Sequence, residues 1–144
     1  VPPERWSETR AAREIRRVPP IASELTIDST DSGLALRYRT TDGFDRVTAQ
    51  IALDFPVGGI WETDDTSFEP QAGQTIFLKK GYAVMRYPAT GEAIRIGPGA
   101  DAHRMVKMRD AAPPAAPGLV RILLTFVTPI DHSFIITGGR WPEI

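Results

Sequence analysis

The sequence predicts an all-β domain, an antiparallel β-sandwich of jelly-roll or supersandwich type with about nine strands, preceded by one short N-terminal helix. Three observations predict it. Residues 47–55 alternate strictly, with Val47, Ala49, Ile51, Leu53 and Phe55 on one side and Thr48, Gln50, Ala52 and Asp54 on the other, which is the period of a half-buried strand. Turn-forming residues punctuate the rest of the chain at intervals of about eight to twelve residues. Only one stretch, residues 7–18, carries helical spacing instead.

That stretch is bracketed by Pro2 and Pro3 on one side and by Pro19 and Pro20 on the other. Ser7 serves as N-cap, and Ala11, Ile15 and Val18 form a narrow apolar stripe. Arg10, Arg13, Arg16 and Arg17 fill much of the remainder, with Glu8 and Glu14 placed to pair with them at helical spacing. Residues 1–23 therefore read as a helical extension and 24–144 as the β-domain. Within the latter, 24–28 is a short strand closed by Asp31-Ser32-Gly33, 34–40 alternates Leu34, Leu36 and Tyr38 against Ala35, Arg37 and Arg39, and Asp42-Gly43 supplies the next turn. With 47–55 these strands are expected to form a meander with one buried and one wet face.

Pro56-Val57-Gly58-Gly59 then turns the chain into Ile60-Trp61-Glu62-Thr63-Asp64-Asp65, read as a surface segment, and 64–74 as a loop. Residues 75–79, 83–87 and 93–96 follow as three short strands, with turns at Lys80-Gly81 and Ala89-Thr90-Gly91. Residues 103–108 form a further expected strand, and the proline-rich 110–118 an extended crossing. Residues 119–128 are apolar at nearly every position, the pattern of a strand covered on both faces or central in its sheet. Asp131-His132 is placed at a turn, 133–137 as the last strand, and 138–142 as a tail.

Composition narrows the chemistry. At 144 residues the chain has the length of one ordinary domain. Its 17 basic and 18 acidic side chains leave a net charge of −1, so no global field draws it to nucleic acid or an anionic membrane. No apolar run approaches the roughly 20 residues that span a bilayer. The chain has no cysteine, which excludes disulfides and a thiol nucleophile but fixes no compartment, secreted and periplasmic included. A first residue of Val rather than Met suggests a processed chain or a piece of a larger protein.

Among motifs, Gly97-Pro98-Gly99 lacks the lysine and the helix of a phosphate loop, and no serine sits in a Gly-x-Ser-x-Gly elbow. Asp101-Ala102-His103 and Asp131-His132 are the two places where a carboxylate and an imidazole lie close in sequence. A turn histidine bonded to its own aspartate is the favoured state of both, and no metal site is assigned to them. Glu62, Asp64 and Asp65 carry three readings. One is calcium coordination, for which backbone carbonyls and water must supply most of the oxygens; the second is a pair of carboxylates acting as catalytic acid and base, for which spacing alone shows no raised pKa; the third is loop acids with no ligand. Trp61, Tyr82 and Tyr87, with Trp6 and Trp141 near the termini, raise a sugar-binding platform, since a ring covers the apolar face of a pyranose. The competing reading has Trp61 capping the core.

The stretch 56–87, with Gly58-Gly59-Ile60-Trp61-Glu62 followed by Thr75-Ile76-Phe77-Leu78-Lys79-Lys80-Gly81-Tyr82, resembles the accessory β-sandwich of heparinase-type polysaccharide lyases and related carbohydrate-active enzymes. In that family the acid and base reside mainly on a helical toroid that this chain does not contain, so the resemblance implies an accessory domain and transfers no catalytic residue. Three functional expectations result. The first is a non-catalytic domain that packs on a neighbouring domain or binds polysaccharide or oligosaccharide through Trp61, Glu62, Asp64, Asp65 and Tyr82. The second is a small jelly-roll enzyme with a pocket built from Asp101, His103 and Arg104. The third is a structural domain that self-associates through the N-terminal helix and the C-terminal tail.

Overall fold

A computed structural model describes residues 22–40, 48–101 and 115–144. The expected helix at 7–18, Trp6, the turn at Asp42-Gly43 and the expected strand at 103–108, with His103 and Arg104, lie outside the described residues. Within them the chain is all-β. Ten strands run in order as β1 (Ser23–Thr30), β2 (Gly33–Thr40), β3 (Thr48–Pro56), β4 (Ile60–Glu62), β5 (Ser67–Phe68), β6 (Thr75–Phe77), β7 (Ala83–Tyr87), β8 (Glu92–Gly97), β9 (Leu119–Val127) and β10 (Asp131–Arg140). They form a seven-stranded sheet ordered β1-β2-β10-β8-β7-β4-β5 and a three-stranded sheet ordered β3-β9-β6.

The two sheets share one apolar interior. Trp61, Ala83, Met85 and Ile96 of the large sheet meet Val120 and Ile122 of β9, while Leu36 and Phe134 meet Leu124 and Phe126 further along the same strand. Leu53 and Ile136 pack against both groups. Strand β9 lies between β3 and β6, and on its other face Leu123 and Thr125 are also buried. A nearly continuous apolar run is what a strand needs when most of both faces is covered.

The alternation of 47–55 survives in β3, whose Ala49, Ile51, Leu53 and Phe55 turn toward the interior. The expected meander does not. Strand β3 leaves the sheet of β1 and β2 and pairs along its whole length with β9, from Thr48 opposite Val127 to Pro56 opposite Leu119. Alternation reports which face is buried, and it carries no information on which strand lies alongside. The antiparallel expectation holds for every pairing except that of β6 with β9, which is parallel.

Other boundaries shift as well. Residues 60–62 form a strand rather than a surface segment, and β5 falls inside the expected loop. Asp131 and His132 open β10 instead of forming a turn, and Gly138 to Arg140 extend that strand by pairing with β8. The tail beyond is held by the Trp141 N–H donating to the Gly91 carbonyl at 2.9 Å and by the Arg86 guanidinium lying 5.7 Å from the Trp141 ring centre.

Among the described residues four ion pairs join neighbouring strands, and in two of them the carboxylate is an aspartate. Asp54 of β3 sits opposite Arg121 of β9 and accepts two bonds from its guanidinium, at 2.8 and 2.9 Å. Asp131 of β10 accepts from Arg37 Nε of β2 at 2.8 Å. In both cases the hydrogen bonds from arginine hold the carboxyl below its ordinary value of 3.8. A carboxylate with a depressed folded pKa contributes stability above its unfolded pKa and loses it as pH falls through the folded value. The protein is therefore expected to lose stability progressively as pH drops below about 3.8, and Asp54→Asn is expected to flatten that dependence, as read from urea midpoints across an acid series. Phe126→Ala, which empties the centre of the interior, is expected to cost about 3–5 kcal/mol in the same measurement at neutral pH.

Candidate functional site

At one margin of the molecule the short strands β4 and β5 of the large sheet face β6 of the small one. Between them lies a cleft of about 500 Å³ whose lining includes Trp61, Phe68, Ile76 and Leu78 with the polar side chains above them. Each wall is positioned by local chain chemistry. Strand alternation along β4 turns Trp61 inward, where it is 2% exposed. The chain then reverses in a tight turn in which Thr63 N–H donates to the Thr66 carbonyl at 2.9 Å and Asp65 N–H donates to Thr63 Oγ1 at 3.3 Å. Asp64 and Asp65 project from that turn into solvent at the cleft mouth.

The opposite wall is the continuation of β6. Ile76 and Leu78 turn in, while Phe77 stays 39% exposed. Lys79, Lys80 and Gly81 lead to Tyr82, 41% exposed, with the Arg95 guanidinium 4.2 Å from its ring centre. Residues 97–100 hold this turn in place: Gly99 N–H donates to the Gly81 carbonyl at 2.8 Å and Ala100 N–H to the Leu78 carbonyl at 3.0 Å. The approach is too close for side chains. A Cβ on Gly97 would meet the Gly81 carbonyl oxygen at 2.6 Å, and one on Gly99 would collide with the Leu78 backbone. Gly97-Pro98-Gly99 is thus a backbone contact that supports the cleft wall.

Of the residues singled out in the sequence, Trp61, Asp64, Asp65 and Tyr82 come together around this cleft. Trp61 contributes its floor, and with 2% of its surface open it offers no ring face for a sugar to stack on. The exposed rings are Tyr82 and Phe77. Glu62 is not part of the cleft: one step along β4 from Trp61, it points to the opposite face, where it accepts from Arg86 Nε at 2.9 Å and Ser67 Oγ at 3.4 Å. The acidic turn therefore presents two carboxylates rather than three. Among the described residues no group of three or more acidic or histidine side chains is gathered to hold a metal ion.

His132 also departs from expectation. It lies between the rings of Phe126 and Phe134, with centroids at 5.5 and 6.1 Å, and its Nε2 is 2.9 Å from the Pro98 carbonyl oxygen. The carbonyl can only accept, so Nε2 donates. Asp131 is engaged by Arg37, not by its histidine neighbour, because successive side chains on a strand point to opposite faces. Tyr87 donates its hydroxyl to the Pro56 carbonyl at 2.9 Å, and burial raises its pKa. It is a bracing residue within the fold.

Phe77, Lys79 and Lys80 are cleft residues that sequence reasoning did not single out. A signal existed for the first: in the alternation of 75–79, Phe77 shares the phase of Thr75 and Lys79, which marks an aromatic on the wet side of a strand. Chemically, the cleft lining brings the exposed Tyr82 together with two carboxylate acceptors and two ammonium donors above an apolar floor. Among the described residues no imidazole or thiol lines it.

Gly99→Val is expected to force the 78–82 turn away from residues 97–100 and to lower stability by about 1–3 kcal/mol, measured by chemical denaturation. No family model, curated protein or solved structure matches this chain.

Proposed function

We propose that this chain is a non-catalytic β-sandwich domain of a carbohydrate-active protein, of jelly-roll or supersandwich class, and that it binds saccharide in the cleft between Asp64-Asp65 and Lys79 to Tyr82. One observation carries the proposal: Tyr82, 41% exposed, lines the cleft together with Asp64, Asp65, Lys79 and Lys80. A pyranose has an apolar face edged by hydroxyl groups, so it calls for a ring beside acceptors and donors. Carboxylates accept from sugar hydroxyls and ammonium groups donate to their oxygens. The two sheets with a shared interior support the sandwich reading, and the likeness of residues 56–87 to the accessory domains of polysaccharide lyases supports a carbohydrate context. The cleft is shallow and its polar groups stand in water, which suits recognition of a solvated chain rather than acid–base chemistry at a glycosidic bond.

A glycan array followed by titration calorimetry tests the proposal. Tyr82→Ala is expected to weaken binding of the saccharide found about tenfold, the equivalent of about 1.4 kcal/mol, with unchanged thermal stability. Trp61→Ala is expected to act differently, through the loss of about 3–5 kcal/mol of folding stability. Folded wild-type protein that binds no saccharide on the array, or a Tyr82→Ala variant that binds as the wild type does, refutes the assignment.

A further inference from the structure

At the far margin of the large sheet, β1 is an edge strand whose eight residues are all exposed. It pairs with β2 on one side, and its other side carries no strand among the described residues. Native edge strands are guarded by brevity, proline, lysine or bulges. The opposite edge of the same sheet follows that rule, since β5 has two residues. Strand β1 is eight residues long, and Ser23-Glu24-Leu25-Thr26-Ile27-Asp28-Ser29-Thr30 contains no proline, glycine or lysine; its only charges are Glu24 and Asp28. Leu25 and Ile27, on the face that leads to Leu36 and the interior, are 46% and 55% exposed.

We propose that β1 pairs antiparallel with β1 of a second copy of this chain, about a twofold axis at Ile27. The backbone and the side chains select the same register. The two-residue connection Asp31-Ser32 makes Thr30 and Gly33 the closing pair of the hairpin, so Glu24, Thr26, Asp28 and Thr30 direct their peptide groups to β2. Leu25, Ile27 and Ser29 direct theirs to the open side. Pairing Ile27 with Ile27 of the second copy, and Leu25 with its Ser29, satisfies these groups with about six hydrogen bonds. It also builds one continuous apolar row, Leu36 and Ile27 of one copy meeting Ile27 and Leu36 of the other.

Charge decides against the neighbouring registers. A shift of one pair in either direction sets Glu24 opposite Asp28 of the second copy, or Asp28 opposite itself, and like charges directly opposite are destabilising. In the Ile27 register Asp28 faces Thr26 and Glu24 faces Thr30. Arg37, cross-strand neighbour of Thr26, then lies in the same row as Asp28 of the second copy, and Arg39 backs Glu24, to which it is already bonded at 3.2 Å. The seam is thus self-complementary in shape, polarity and charge, as a twofold contact between identical surfaces must be.

The absence of cysteine from the chain allows a direct test on the full protein. In a hydrogen-bonded antiparallel pair the two Cα atoms lie about 5.5 Å apart, within reach of a short bis-thiosulfonate cross-linker. Ile27→Cys is therefore expected to give a covalent dimer with such a reagent, whereas Ser29→Cys, whose two copies lie about 14 Å apart in this register, is expected not to. Light scattering across a concentration series is expected to show a rise to twice the mass of the chain, abolished by Ile27→Lys. Because Ile27 is largely exposed, that variant is expected to keep the wild-type melting profile, which checks that it folds. A single-chain mass at every concentration, equal cross-linking of the two cysteine variants, or a dimer that persists in folded Ile27→Lys overturns the proposal.

Discussion

The placement of β9 against the large sheet is the constraint on which the rest of the structure depends. Its inward residues Val120, Ile122, Leu124 and Phe126 reach both halves of the interior, and its two edges take β3 on one side and β6 on the other. A strand so enclosed must be largely apolar, and every peptide group it buries must find a partner. The long pairing with β3 meets that demand on one edge, with the Asp54–Arg121 ion pair closing the outer face. Removing β9 would leave the small sheet without a centre and the large sheet without a cover.

The unequal width of the sheets shapes both margins of the molecule. Where β4 and β5 face β6, each strand is short, and the chain must reverse twice within a few residues. These reversals expose Asp64 and Asp65 on one side and Lys79, Lys80 and Tyr82 on the other. The cleft is the space between two sheet edges that do not close on each other. One wall is supported from outside the lining: the glycines at 97 and 99 permit a backbone approach that any side chain would prevent. At the other margin the large sheet continues past β2 to β1, and Leu25 and Ile27 are left open because packing against the small sheet does not extend to them.

Much of the secondary structure was legible in the chain itself. Alternation located β2 and β3, a nearly continuous apolar run located β9, and turn residues set off β7 and separated the rest. The short strands β4 and β5 were not legible, since three and two residues are too few for a period to register. The site was legible in part. Asp64, Asp65 and Tyr82 stood out by residue type and do reach the cleft. Glu62 stood out equally, yet its neighbour Trp61 is drawn into the interior and strand geometry sends Glu62 the other way, to Arg86. Lys79 looked like the end of a strand and Lys80 like an ordinary turn, because nothing local reveals that another strand will face them.

The sequence by itself determined that this chain is β-rich, where its principal strands run, and which face of β3 is buried, because side-chain period and turn chemistry are local properties. Only the tertiary structure decided that β3 joins β9 rather than β2, that β6 runs parallel to β9, and that His132 turns to the Pro98 carbonyl instead of to Asp131. Each of these depends on which strand lies alongside. That choice is made by the summed burial of residues far apart in the chain, and no stretch of sequence contains it.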